Sequence, residues 1–211
     1  MPSELARLAY ERVKADNGWR VFYRHPFEMA LVDVSPDSWL EEVEQLVDSA
    51  GYVADPAPPL EVAKPNWHVR PGLALSLRDQ LAYNYATLKA AAAVGPLLEW
   101  SAYTVRFSYR VARAGREWFE REFQGWRNFD RVSLGKISGG AKYVVVADIS
   151  GYYENIDIGR LVTELAAAQV DQTTRDQLSR LWNKWAGVRG RPRWTLQNRP
   201  LVDASKPATT R

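Results

Sequence analysis

Residues 143–158 read YVVVADISGYYENIDI, and the fold prediction starts from this stretch. Its first part is a short apolar run with three valines, and Gly139 and Gly140 precede it. An apolar, β-branched run bounded by turn residues is typical of a buried strand. Asp148 follows the run, and helical spacing of apolar residues begins at Ile158. The sequence therefore predicts a buried strand that ends in a carboxylate and turns into a helix.

Asp148 has two interpretations at this position. A carboxylate at the end of a rigid strand suits phosphoryl transfer, because Mg²⁺ takes hard oxygen ligands and holds both sides of an in-line displacement. The ordinary alternative is an aspartate that caps the following helix. The chain has no cysteine and two histidines, so thiolate and histidine-rich metal centres are excluded and any metal must be held by oxygen.

The stretch closely resembles the first palm motif of reverse transcriptases. The shared pattern is an apolar strand, an aspartate, a hydrophobic residue, two variable positions, two aromatics, two further positions and an isoleucine. The resemblance implies that Asp148 is catalytic and binds Mg²⁺, that the backbone carbonyl of Ile149 adds a metal ligand, and that Tyr153 excludes the ribose 2′-hydroxyl. It also implies an RNA-directed DNA polymerase that uses dNTPs, an RNA template, and a DNA or RNA primer. For one of Tyr152 and Tyr153 the alternative is core packing.

Two upstream segments resemble parts of the same family in the expected order. Residues 70–83 look like the fingers segment, in which an arginine precedes a strand and a helix that starts with D-Q. Residues 107–110, FSYR, resemble the S-Y-x-x-R type element that follows it. The resemblance makes Arg70 and Arg110 candidates for binding the nucleotide. The tyrosine-rich palm motif and residues 66–68, NWH, look most like bacterial reverse transcriptases of abortive infection and phage defence.

Arginine and aromatic side chains are mixed throughout residues 106–131. Guanidinium groups neutralise phosphates and aromatic rings stack on bases, so this composition suits nucleic acid. The nucleic-acid-binding candidates are Arg106, Arg113, Arg116, Trp118 and Arg127. The alternative is an amphipathic helix with its aromatics in the core and its arginines in water.

The wider pattern predicts an α+β fold, with a mostly helical fingers region and the first strand and helix of a polymerase palm whose sheet is incomplete. Helices are expected from Ser3 to about Asn17 and in residues 36–51, 73–96, 158–170 and 178–185, with a loop or irregular hairpin in residues 54–72. The corresponding regions are residues 1–64 (N-terminal helical), 65–140 (fingers-like), 141–188 (partial palm) and 189–211 (basic tail). The tail is predicted to be disordered because it is basic and lacks an apolar face.

The family pattern then stops. A segment like G-L-P-Q-G and a hairpin with Y-x-D-D should follow residue 190, and neither occurs in the sequence. We expect a truncated or frameshifted reading frame, a chain that is inactive alone, and a second polypeptide that completes the palm. With 46% hydrophobic residues and no long apolar stretch, the chain is also expected to be soluble and cytoplasmic, with no membrane partner.

Two other interpretations stay open. The chain can be a non-catalytic RNA-binding or assembly module of a defence-type reverse transcriptase, using the arginines of residues 106–131 and the basic tail. It can also be an unrelated α+β protein whose palm motif is coincidental. Metal dependence separates catalysis from binding, because arginines bind phosphate without Mg²⁺.

Overall fold

Helices make up most of the chain that the structure describes, and several begin at capping residues visible in the sequence. The structure is a computed structural model that describes residues 1–19, 25–63, 69–99, 107, 122–147, 149 and 155–188. At Ser76, the side-chain Oγ accepts a hydrogen bond from the backbone N–H of Asp79 at 3.1 Å. At Asp171, a carboxylate oxygen accepts from the backbone N–H of Thr174 at 2.9 Å. Both contacts satisfy N–H groups that a helix start leaves without an intrahelical acceptor.

Seven helices and two strands are present in these residues. In chain order they are α1 (Glu4–Trp19), α2 (Pro26–Val34), α3 (Pro36–Asp48), β1 (Pro59–Ala63), β2 (Val69–Leu73), α4 (Leu77–Glu99), α5 (Glu122–Ser138), α6 (Ile158–Ala167) and α7 (Gln172–Val188). The strands form one antiparallel pair, with Pro59 opposite Leu73 and Ala63 opposite Val69.

The core lies where α1, α3, α4 and α7 pack together. Val43 of α3, Leu81 of α4 and Leu178 of α7 are buried there, together with Tyr10 of α1. Within a helix the buried residues follow the 3.6-residue period, as Leu40, Val43 and Val47 do in α3, so one apolar face points inward. We call these four helices, with the connection between α3 and β1, the helical block.

The coarse α+β prediction is confirmed by the helices and the small antiparallel sheet. The helix predictions are confirmed for α1, α3, α4, α6 and α7, although α4 continues past Pro96 to Glu99. Helix α2 was not predicted from the sequence; it is nine residues long, and none of its residues is buried. The loop or hairpin expected in residues 54–72 contains the β1–β2 pair.

The prediction of a buried strand over residues 143–147 is wrong. Residues 141–147 form neither helix nor strand, and Tyr143, Val144, Val145 and Val146 are between 71% and 90% exposed. A strand needs a neighbour for its N–H and C=O groups, and within the described residues the β1–β2 pair is the whole sheet. Valine content favours a strand, but it does not supply the neighbour.

None of the helices in the described part of the chain is both long and apolar enough to cross a membrane.

Candidate functional site

The palm-like motif is described by the structure only in part. Asp148 and Tyr153 lie outside the described residues, and the side chain of Ile149 is exposed. Past the motif, α6 begins at Ile158, and a carboxylate oxygen of Asp157 accepts a hydrogen bond from the backbone N–H of Arg160 at 3.0 Å. Asp157 therefore caps α6.

The other predicted site residues are spread over described and undescribed parts of the chain. The backbone of Arg70 lies in β2 opposite Val62. Arg127 lies on α5 and is exposed. The remaining arginine and tryptophan candidates fall outside the described residues, namely Arg106, Arg110, Arg113, Arg116 and Trp118.

Aromatic rings meet beside Arg127. The rings of Trp126 and Phe129 lie edge to face with their centroids 5.9 Å apart, and Phe107 contacts Phe129 in the same way at 5.8 Å. Trp126 and Phe129 both remain largely exposed. Exposed aromatic rings therefore lie near Arg127 on this part of α5, and such a surface can bind either bases or apolar side chains.

The most closely connected polar site is around Asp79, in the first turn of α4. Its side chain is 0% exposed, and its Oδ1 accepts hydrogen bonds from the hydroxyl of Tyr52 at 2.8 Å and from the backbone N–H of Asp55 at 3.2 Å. Its Oδ2 is buried and has no hydrogen-bond partner among the described residues. Burial raises the pKa of Asp79 above its ordinary value, although the hydrogen bond from Tyr52 opposes the shift. This carboxylate fixes the segment after α3 to the start of α4.

Tyr52 extends this connection to α7. Its backbone carbonyl accepts a hydrogen bond from the side-chain amide of Gln177 at 3.1 Å, and Gln177 is fully buried. Burial and the nearby Asp79 charge raise the pKa of the Tyr52 hydroxyl, so it stays protonated and donates. Sequence analysis noted Asp79 but missed its partners. The S-x-x-D spacing from Ser76 to Asp79 was the available signal for a cap, whereas no local pattern indicates Tyr52 or Gln177.

A second polar contact attaches the start of α2 to the start of α4. The backbone carbonyl of Leu75 accepts from the side-chain amide of Gln80 at 3.0 Å and lies 2.9 Å from Nε2 of His25. The other ring nitrogen of His25 lies 2.6 Å from a carboxylate oxygen of Glu28. Both partners of the ring are hydrogen-bond acceptors. Asp79 and Gln80 both lie in the first turn of α4. Asp79 contacts the segment after α3, and Gln80 contacts the turn between β2 and α4.

An open apolar groove of about 210 Å³ lies between α4, α6 and α7. It is lined by Tyr83, Thr87, Ala90, Ala91, Val94, Gly95, Leu161, Leu165, Leu178 and Trp182. The phenol of Tyr83 is the one ionisable side chain in this lining, so the groove can hold apolar groups.

Within the described residues, no cluster of three or more histidines, aspartates or glutamates could hold a metal ion. Comparison of this chain with protein-family models, with curated proteins and with solved structures finds no match.

Proposed function

We propose that this chain is the front part of an RNA-directed DNA polymerase of the reverse-transcriptase type. The observation that carries the proposal is the order of its parts. Strand β2 contains Arg70, α4 follows with Asp79 and Gln80 in its first turn, and the stretch around Asp148 leads into α6. This is the order in which the family resemblance places the fingers segment and the first palm motif.

The buried position of Asp79 supports the fingers part of the proposal. Asp79 connects the segment after α3 with the strand-to-helix turn, and Gln80 contacts the carbonyl of Leu75 in that turn. A template or nucleotide must meet a rigid backbone, because binding to a loose one costs ordering entropy. The Asp79-Gln80 pair supplies this rigidity immediately after the strand that contains Arg70.

In the proposed reaction, Mg²⁺ would be held by the carboxylate of Asp148 and the backbone carbonyl of Ile149. These are hard oxygen ligands of the kind that Mg²⁺ takes, and the metal would stabilise charge on the transferred phosphate. One carboxylate does not complete a two-metal site, so the Y-x-D-D carboxylates would come from residues outside this sequence. Tyr153 would lie under the sugar and select deoxynucleotides by excluding the 2′-hydroxyl.

A second candidate function is a non-catalytic RNA-binding or assembly module. The exposure of Tyr143, Val144, Val145 and Val146 favours it, since a working palm needs the strand before Asp148 to be fixed in a sheet. The exposed aromatic rings near Arg127 favour it as well. In this function the arginines bind phosphates and Mg²⁺ has no part.

Primer extension tests the first candidate. The purified chain is given an RNA template with an annealed primer, dNTPs and Mg²⁺, alone and with a polypeptide that contains a reverse-transcriptase Y-x-D-D hairpin. We expect synthesis that Asp148→Asn abolishes and Asp157→Asn leaves unchanged, because Asp157 caps α6 and an asparagine can accept the same hydrogen bond. We also expect Tyr153→Ala to admit ribonucleotides.

The outcomes separate the two functions. RNA binding without synthesis in either condition, and without any effect of Mg²⁺, would support the binding module and contradict the polymerase. Synthesis that persists in Asp148→Asn would contradict the assigned metal ligand. A folded chain that neither binds RNA nor extends a primer would contradict both.

A further inference from the structure

Helix α2 exposes a stripe of three large apolar side chains. Phe27, Leu31 and Val34 are spaced by four and then three residues, so they share one face of the helix. They are between 75% and 85% exposed, and no residue of α2 is buried. A continuous apolar stripe on a helix is a mark of an interaction surface, whereas single exposed hydrophobics are ordinary.

The surroundings of this α2 stripe are acidic. Residues 25–63 contain nine aspartates and glutamates and no lysine or arginine. Five of these nine acids pair with cations elsewhere in the chain, including Asp33 with Lys14 at 2.8 Å and Asp37 with Arg7 at 2.9 Å. Glu28 lies beside the stripe with 59% of its side chain exposed. A partner that covers the stripe should therefore be apolar at its centre and basic at its edges.

Helix α5 has those properties. Trp126, Phe129 and Ile137 lie on one face and are between 44% and 64% exposed. Helix α5 carries Arg127, Arg131 and Lys136 against Glu122 and Asp130, and Lys142 follows the helix. No side chain described in residues 125–138 is buried. This α5 stripe is about 16 Å long and the α2 stripe about 10 Å, at 1.5 Å per residue, so one can cover the other.

We propose that a second copy of this chain occupies the α2 stripe through its α5 stripe. The two apolar faces exclude water from each other, and the basic edge of α5 meets the acidic surroundings of α2. Pairing of α2 with α2, or of α5 with α5, would bring like charges together, so the contact joins two different surfaces. A contact between two different surfaces is head to tail, and it continues into a ring or a filament.

Analytical ultracentrifugation of the full chain tests the association. We expect a concentration-dependent increase in mass that passes beyond the dimer, because each copy keeps one open stripe. Added salt should weaken the association, since part of the attraction is between exposed charges. A chain that stays monomeric at about 100 μM, a concentration at which such a contact should be populated, would overturn the proposal.

Single-face variants make the test specific. Leu31→Arg and Ile137→Glu should each weaken self-association at least about tenfold, because each places a charge in an apolar contact. Val53→Arg is the matched control, as Val53 is exposed, lies in the same acidic region as Leu31 and is in neither stripe. All three positions are exposed, so the helical content measured by circular dichroism should not change.

Mixing the two defective variants gives the sharpest result. Each retains the stripe that the other has lost, so an equimolar mixture should form a one-to-one dimer and nothing larger. An α2–α2 dimer would instead be lost in Leu31→Arg and kept in Ile137→Glu, which would overturn the head-to-tail contact. A monomeric chain whose RNA binding is weakened by Ile137→Glu would also overturn it, since the α5 stripe would then be a nucleic-acid surface.

Discussion

The helical block and the segment from α5 to Ile149 differ in the solvent exposure of their apolar side chains. In the block, Val43, Leu81 and Leu178 come from three helices and are all buried together. In residues 125–147, Trp126 and Val145 are also large apolar residues, and both are mostly exposed. Apolar content is thus not what separates the two regions. In the helical block, the apolar faces of four helices meet. Among the described residues, the second segment has no comparable group of packed elements.

This difference predicts where stability comes from. The folded state is stabilised where apolar area is removed from water. The helical block should therefore supply nearly all of the free energy of unfolding. The exposed segment should instead supply surface for binding. Its apolar groups are in water in the free chain, so a partner that covers them lowers the free energy of the system. The following predictions test that division, beginning with the largest effect.

The largest effect should come from truncating a block side chain. Leu81→Ala removes a fully buried side chain from α4 and should lower the free energy of unfolding by about 2–5 kcal/mol. Val145→Ala should change it by less than about 0.5 kcal/mol, because Val145 is exposed. Urea denaturation followed by circular dichroism measures both. Equal losses would mean that residues 143–146 are packed as tightly as the block.

The next effect concerns the polar contact inside the block. Tyr52→Phe leaves the ring in place but removes the hydroxyl that donates to the buried Asp79, and should cost about 1–3 kcal/mol. Tyr143→Phe is the matched control in the exposed segment and should cost almost nothing. If Tyr52→Phe were also neutral, the hydrogen bond to Asp79 would not be holding the segment after α3 to α4.

Helix caps sharpen the comparison on a smaller scale. Asp171→Ala removes a cap from α7, whose Leu178 and Leu181 are buried, so it should lower global stability by about 1 kcal/mol. Asp157→Ala removes the same type of cap from α6, which has no buried residue. It should lower hydrogen-exchange protection at the start of α6 and change global stability less. The reverse ranking would place α6 in the cooperative core and α7 outside it.

The smallest expected effect is a pH dependence. The pKa of Asp79 is raised by burial, so between its unfolded and folded pKa values the folded chain binds more protons than the unfolded chain. Stability from this group is therefore present at low pH and is lost as pH rises through the folded pKa. The stability of the wild type relative to Asp79→Asn should fall as pH rises from about 4, near the ordinary carboxyl pKa. A constant difference between the two would contradict a raised pKa.

Local patterns predicted the helices well wherever one face is apolar and a cap is visible. The spacing of Trp39, Leu40 and Val43 after Pro36 is enough to predict α3, and the structure agrees. The same reasoning gave a buried strand at residues 143–147 and failed. Burial is a property of the partner as much as of the segment, and a sequence window contains no information about whether a partner is present.

The candidate site divides in the same way. Asp148, Ile149 and Tyr153 were nominated from a contiguous motif, and their roles stay predictions that the proposed primer extension tests. The contacts of Asp79 with Tyr52, and of Tyr52 with Gln177, join residues 27 and 125 positions apart. No periodicity or capping rule relates residues at such separations.

The sequence by itself determined the helices α1, α3, α4, α6 and α7, the absence of thiolate and histidine-rich metal centres, and the charge contrast between the acidic residues 25–63 and the basic α5 region. Composition and local spacing fix these properties whatever the chain's tertiary contacts. The tertiary structure alone decided that Asp79 is buried, that α2 and α5 keep apolar stripes exposed, and that residues 143–146 lie in water. The reason is that solvent exposure depends on which distant segments meet, and those contacts form only when the whole chain folds.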